Sequence, residues 1–119
     1  MTRVTIRIDF DGERHLGHGK IRLLELIDAH GSISSAARAM GMSYRRAWLL
    51  ADEANRMFAQ PLFATRLGGR GGGQAQLTPF GRKAIALYRA MQSQTEQRFC
   101  DEIAALAAEL AEPKTPQQA

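Results

Sequence analysis

Apolar and polar positions alternate at the start of the chain. Val4, Ile6, Ile8 and Phe10 are separated by Thr5, Arg7 and Asp9, the period of two that lays one face of a strand on a core. This predicts a half-buried strand over residues 3–10, ended by a turn at Asp11-Gly12. The period then changes. Ile21, Leu24 and Ile27, with Leu23 and Leu26 beside them, recur at helical spacing between Gly17-His18-Gly19 and Gly31 and predict a first helix. Ser32 is a good N-cap for a second, short helix carrying Ile33, Ala36, Ala37 and Met40 up to Gly41. Ser43 caps a third, whose inward stripe is Ala47, Leu50, Ala51, Ala54 and Phe58 and which runs to about Ala59. Pro61 forbids continuation, so residues 62–67 read as a strand, the glycines around Arg70 as a tip, and residues 74–78 as a returning strand. Thr78 then caps a helix with Pro79 at its first position. The pattern continues without an interior breaker to about Ala111, with Ile85, Tyr88 and Met91 offered to the core by its first half.

Two short helices joined through Gly41-Met42, with small residues Ala36, Ala37 and Ala47 at their crossing, describe a helix-turn-helix, and the hairpin behind them has the outline of a wing. The expected fold class is mainly α with a small β wing: a winged helix-turn-helix with a long C-terminal dimerisation helix. Residues 1–111 form its domain and residues 112–119, polar and proline-interrupted, a disordered tail. A length of 119 residues suits one domain, and no apolar run approaches the ~20 residues needed to cross a bilayer. No apolar leader follows Met1 and the single Cys100 cannot form an internal disulfide, which points to a reducing cytoplasm.

Charge changes this picture from a fold to a surface. Sixteen Lys plus Arg against twelve Asp plus Glu give +4, but up to Gln92 the balance is fourteen to seven and beyond it two to five. The front of the chain is the candidate polyanion surface, and its charge is mostly guanidinium, which grips a phosphate or a guanine edge with two parallel hydrogen bonds. Recognition helices read base edges with their first turns, and Arg45 and Arg46 lie off the Ala47/Ala51/Ala54 stripe. Arg70, alone among glycines, suits a minor groove that the backbone at Gly71 approaches closely. The expected DNA-facing set is Ser34, Ser43, Tyr44, Arg45, Arg46, Trp48, Arg70 and Gly71, although the Trp48 ring could equally be buried against the wing or the first helix.

Other chemistry is poorly supplied. The glycine cluster is followed by Gln74-Ala75 rather than the Lys and Ser or Thr of a phosphate-binding loop. His15 and His18 sit near Asp9, Asp11 and Glu13, but no further His or Cys completes a metal set. Cys100 has no neighbouring His and reads as a buried structural thiol. No serine sits in a nucleophile elbow, so an enzyme is not expected.

The run from Gly31 through Ser-Ile-Ser-Ser-Ala-Ala-Arg-Ala-Met-Gly-Met-Ser-Tyr-Arg-Arg-Ala to Trp48, then Asn55, Phe63, the glycine-rich stretch and Leu77-Thr-Pro-Phe-Gly, closely resembles the N-terminal DNA-binding domain of the ModE family of molybdate-responsive transcription regulators. The resemblance covers about residues 16–100. It implies a winged helix-turn-helix homodimer on a palindromic operator of double-stranded DNA, with Ser43, Tyr44, Arg45 and Arg46 on the recognition helix and Arg70 on the wing. Family members sense molybdate through additional C-terminal domains, whereas this sequence ends after its long helix. The expectation is therefore a regulator without a cofactor, molybdate entering by resemblance only.

The dimer is also expected from the residues. Thr95, Phe99, Ile103, Leu106 and Leu110 form a stripe at spacings of four, four, three and four that a single domain has no evident surface to cover, unless it folds back on Leu23 and Leu26. Competing readings are a helical dimerisation or adaptor module, and a sequence-neutral architectural DNA-binding protein.

Overall fold

The computed structural model describes residues 2–66 and 73–113. Its first strand is shorter than the alternation suggests: β1 (Ile8–Asp11) pairs antiparallel with β2 (Arg14–Leu16), and residues 2–7 belong to no strand. The alternation has another cause. Val4, Ile6 and Ile8 are half-buried because this segment lies along a later helix, whose Tyr88 hydroxyl donates to the Ile6 carbonyl at 2.6 Å and whose Gln92 amide donates to the Val4 carbonyl. A register shift between Asp9 and Asp11 makes Phe10 the extra residue of a bulge. It turns Phe10 edge-on to Phe58 at 5.8 Å instead of into the core.

Three helices follow: α1 (His18–His30), α2 (Ile33–Met40) and α3 (Tyr44–Met57). Their ends are set by local chemistry. Gly31 and Gly41 close α1 and α2 in the left-handed conformation that glycine adopts without penalty, and the hydroxyls of Ser32 and Ser43 accept the Ser35 and Arg46 amides to start α2 and α3. Leu23, Leu24, Leu26 and Ile27 pack on Ala36, Ala37, Ala47, Ala51 and Ala54, the alanines letting the three helices approach closely. The antiparallel hairpin β3 (Phe63–Arg66) and β4 (Gln74–Leu77) closes this core with Phe63, Ala75 and Leu77. It is tied to the α1–α2 junction by the Ala75 amide, which donates to the Gly31 carbonyl at 2.8 Å.

The long C-terminal helix is two helices. Thr78 caps α4 (Pro79–Arg98) by accepting the Gly81 amide, and α5 (Cys100–Ala107) follows after Phe99 leaves helical geometry at φ −113°, ψ 22°. The Thr95 hydroxyl donates back to the Met91 carbonyl at 2.7 Å one turn earlier, a side-chain bond of the kind that bends helices. Helix ends at Ala107, short of Ala111. The inward stripe of α4 also differs from expectation: Gly81, Ala84, Tyr88 and Gln92 are buried, with Ile85 partly so, whereas Met91 is exposed. Gln92 replaces Met91 because an amide there can donate to Val4 and accept from Arg89 at 2.6 Å. Cys100 is exposed rather than a buried thiol.

Arg89 also clamps α4 to α1 through a two-pronged contact with Glu25, at 2.9 and 2.7 Å. Those hydrogen bonds hold the Glu25 carboxyl below the usual carboxylate range and push Arg89 up. Burial, aided by the Arg3 and Arg89 charges, lowers the imidazole of His18, whose Nδ1 is buried with no hydrogen-bond partner. Both groups bind fewer protons folded than unfolded, so both contributions have one sign. The His18 contribution is complete above about pH 6.5 and the Glu25 contribution above about pH 4.3, each being lost as pH falls through its lower folded value. Melting temperature should fall on acidification, and Glu25→Gln should flatten the curve below about pH 4.3. A parallel curve for that variant would remove Glu25 from the account.

Candidate nucleic-acid interface

The N-terminal turns of α3 meet the hairpin on one surface. Tyr44 and Trp48, four residues apart and so on one side of the helix, are 56% and 42% exposed. With Ile33 and Ser34 of α2 and Thr65, Arg66, Gln74 and Ala75 of the hairpin they line an open crevice of about 310 Å³. Trp48 is therefore neither in the core nor against α1: it stands in the crevice beside β3. Arg45 and Arg46 are exposed, outside the buried Ala47/Ala51/Ala54 stripe, while Ser43 is engaged as the α3 cap and Ser34 lies within hydrogen-bond reach of Ser32 at 3.4 Å. Arg70 and Gly71 lie outside the described residues.

Ion pairing sorts the positive charges of the molecule. Arg7, Arg14, Arg22, Arg56, Arg82 and Arg89 each face a carboxylate, and Lys20, only 3% exposed, is paired with Glu53 at 3.0 Å and donates to the His15 carbonyl at 2.8 Å. These charges are spent inside the protein. Among the described residues Arg3, Arg38, Arg45, Arg46, Arg66, Lys83 and Arg98 have no carboxylate partner, and four of these seven, Arg38, Arg45, Arg46 and Arg66, belong to α2, α3 and β3. Most of the unpaired positive charge of the front half thus lies on α2, α3 and β3, with Arg3 and Lys83 elsewhere. Arg38 and Arg66 were missed by sequence reasoning, because nothing in the pattern shows which arginines lack a carboxylate partner and stand on α2 or β3.

Asn55 positions the hairpin against α3. Its carbonyl oxygen accepts from the Leu62 and Phe63 amides at 2.6 and 3.2 Å, and its amide donates to the Phe63 carbonyl at 3.1 Å. One side chain on α3 therefore fixes the strand that carries Thr65 and Arg66. Among the described residues no group of three His, Cys, Asp or Glu side chains is placed to hold a metal ion, and no helix is long and apolar enough to cross a membrane.

No protein-family model matches the chain. Curated proteins do. It is 42% identical over 85 residues to the molybdenum transport protein ModE of Azotobacter vinelandii, covering 71% of this chain and 32% of that one. It is 39% identical over 82 residues to the DNA-binding transcriptional dual regulator ModE of Escherichia coli K12, covering 69% and 31%. The chain is related to the ModE proteins. The relationship extends to the molybdenum-pterin-binding protein MopA of Rhodobacter capsulatus, at 45% identity over 75 residues, 63% of this chain and 28% of that protein. The chain spans less than a third of the length of these relatives, whose names are those of a transport protein, a transcriptional regulator and a molybdenum-pterin-binding protein.

Proposed function

We propose that the chain is a sequence-specific, DNA-binding transcriptional regulator of the ModE type: a winged helix-turn-helix in which α3 is the recognition helix, the β3–β4 hairpin the wing, and two copies bind a palindromic operator. The observation that carries this reading is the placement of Arg45 and Arg46, exposed and without carboxylate partners, at the start of α3 and of Arg66, likewise unpaired, on the adjoining hairpin beside the exposed rings of Tyr44 and Trp48. The ModE relationship supports it, since a relative aligned over 69% of this chain is named as a DNA-binding regulator. Ser34, Ser43, Tyr44, Arg45, Arg46 and Trp48 make up the contact surface, with Arg70 and Gly71 assigned to the wing tip.

Selection of bound sequences from a random duplex pool tests binding, specificity and half-site symmetry together. A defined palindrome is the expected product, with affinity falling steeply with salt. Arg45→Ala or Arg46→Ala should cost about 1 to 3 kcal/mol of discrimination at particular base pairs. Uniform weakening on all sequences would make that arginine a phosphate ligand, and recovery of no sequence would overturn the regulator reading.

The dimer rests on apolar surface that the single chain leaves uncovered. Leu106 and Leu110 are 75% and 76% exposed and Phe99 is exposed beside them, with Ile103 and Thr95 half-buried. The stripe does not fold back on Leu23 and Leu26, which are filled from other sides in the main core. Each large apolar side chain moved out of water contributes roughly 1.5 to 3 kcal/mol, enough in sum to favour pairing of two such ends, and a two-fold dimer would present recognition helices about 34 Å apart. Phe99→Glu combined with Leu106→Glu should convert a dimer to a folded monomer in sedimentation. An unchanged mass would place the interface elsewhere.

A further inference from the structure

We propose that the crevice between α3 and the β3–β4 hairpin seats one sugar–phosphate strand of the duplex, with Arg66 as its phosphate ligand and the rings of Trp48 and Tyr44 as the wall against its deoxyribose; this rests on the DNA-binding reading above. The crevice has two chemistries in one space. Ile33, Tyr44 and Trp48 give it carbon surface, and the polar residues Thr65 and Arg66 line it from β3. A sugar–phosphate strand has the same two chemistries, a C–H-rich ring and a charged diester oxygen pair, alternating along its length.

Placement and charge agree with that occupant. When a helix lies in the major groove and a hairpin projects beside it toward the neighbouring groove, the structure between them is the strand that separates the two grooves. Arg66 has no carboxylate partner among the described residues, so its charge is available to an anion. Arg45, next to Tyr44 in the first turn of α3, is exposed as well and has no carboxylate partner among the described residues. On the Ile33, Tyr44 and Trp48 side the crevice is chiefly ring and aliphatic carbon, which suits the face of a deoxyribose better than the in-plane donors and acceptors of a base edge. Hairpin position is also fixed well enough to define such a seat: Asn55 holds Phe63, three residues before Arg66, and Ala75 is bonded to Gly31.

The probe is the duplex recovered by the random-pool selection, carrying an uncharged methylphosphonate at one backbone position at a time. For the unaltered chain one position per half-site should cost roughly tenfold or more in affinity, the loss of a charge-assisted hydrogen bond. In Arg66→Gln the same replacement should cost nothing further, and the salt dependence should flatten by about 0.9 in log–log slope per half-site, about 1.8 for the two-copy complex. A ribose at the adjoining nucleotide adds a hydroxyl to the apolar wall. It should weaken the unaltered chain and leave Trp48→Ala indifferent, with that variant's salt slope unchanged. Melting curves establish that both variants, altered at exposed positions, remain folded. If Arg66→Gln still responds to every methylphosphonate as the unaltered chain does, the phosphate assignment is overturned while DNA binding stands. If the ribose effect is the same in Trp48→Ala, the wall assignment falls. A chain that selects no duplex removes the reading beneath both.

Discussion

Gly81→Ala should destabilise the protein by about 3 kcal/mol or more, near the top of the range for a single substitution. A Cβ built at Gly81 lies 2.0 Å from the Leu62 carbonyl oxygen and 2.9 Å from its carbon, both backbone atoms. Leu62 cannot retreat cheaply. Its carbonyl accepts the Thr78 amide at 3.0 Å, its own amide is held by Asn55, and its side chain is wholly buried. The Thr78 hydroxyl that caps α4 through the Gly81 amide also donates to the Pro61 carbonyl at 2.7 Å, so the start of α4 and the entry to β3 are locked to each other. Relief of the overlap requires moving one of them, at a cost well beyond the ~1 kcal/mol by which alanine favours a helix over glycine. Gly19 supplies the control. It also sits in a helix, and a Cβ there meets nothing within 4 Å, so Gly19→Ala should stabilise by about 0.5 to 1 kcal/mol. Urea unfolding of the pair should give opposite signs. A Gly81→Ala midpoint within a few tenths of a kcal/mol of the parent would contradict the close approach.

What was legible in the sequence was local. The caps at Ser32, Ser43 and Thr78, the glycine stops at Gly31 and Gly41 and the strand periods around Phe63 and Leu77 depend on residues within one turn of each other, and these features stand where the pattern places them. Contacts between distant segments were not legible. β2 is three residues long and has no period to read, and the burial of Gln92 is decided by a carbonyl 88 positions away. The bend at Phe99 carries no glycine or proline to announce it. Positive charge was legible as an excess over the front of the chain, but not as a site. That distinction needed the pairing pattern, which takes Lys20 into the interior and leaves Arg66 free of any carboxylate among the described residues.

Asn55→Ala should cost about 2 to 3 kcal/mol, a large effect for a side chain that is only partly buried. Three backbone groups depend on it: two amide donors, at Leu62 and Phe63, and the Phe63 carbonyl. Leu62 is at the floor of the main core and Phe63 begins β3, so water reaches these groups poorly once the side chain is gone, and each buried group left unpaired costs about 1 to 3 kcal/mol. Alanine's better helix propensity offsets only a few tenths. Asn55→Asp separates the contributions of the two ends of the amide. It keeps the acceptor for both amides but replaces the donor to Phe63 with a second oxygen, which repels the carbonyl when ionised and donates to it when protonated. The contact to the Phe63 carbonyl is present only while the carboxyl is protonated and is lost as pH rises and it ionises, whereas the two amides donate to the other oxygen in either form and favour the ionised one. Amide exchange at Leu62 and Phe63 should accelerate strongly in Asn55→Ala, and in Asn55→Asp chiefly at neutral pH. Equal protection of both amides in the parent and in Asn55→Ala would mean that the core alone, without this clamp, holds the hairpin on α3.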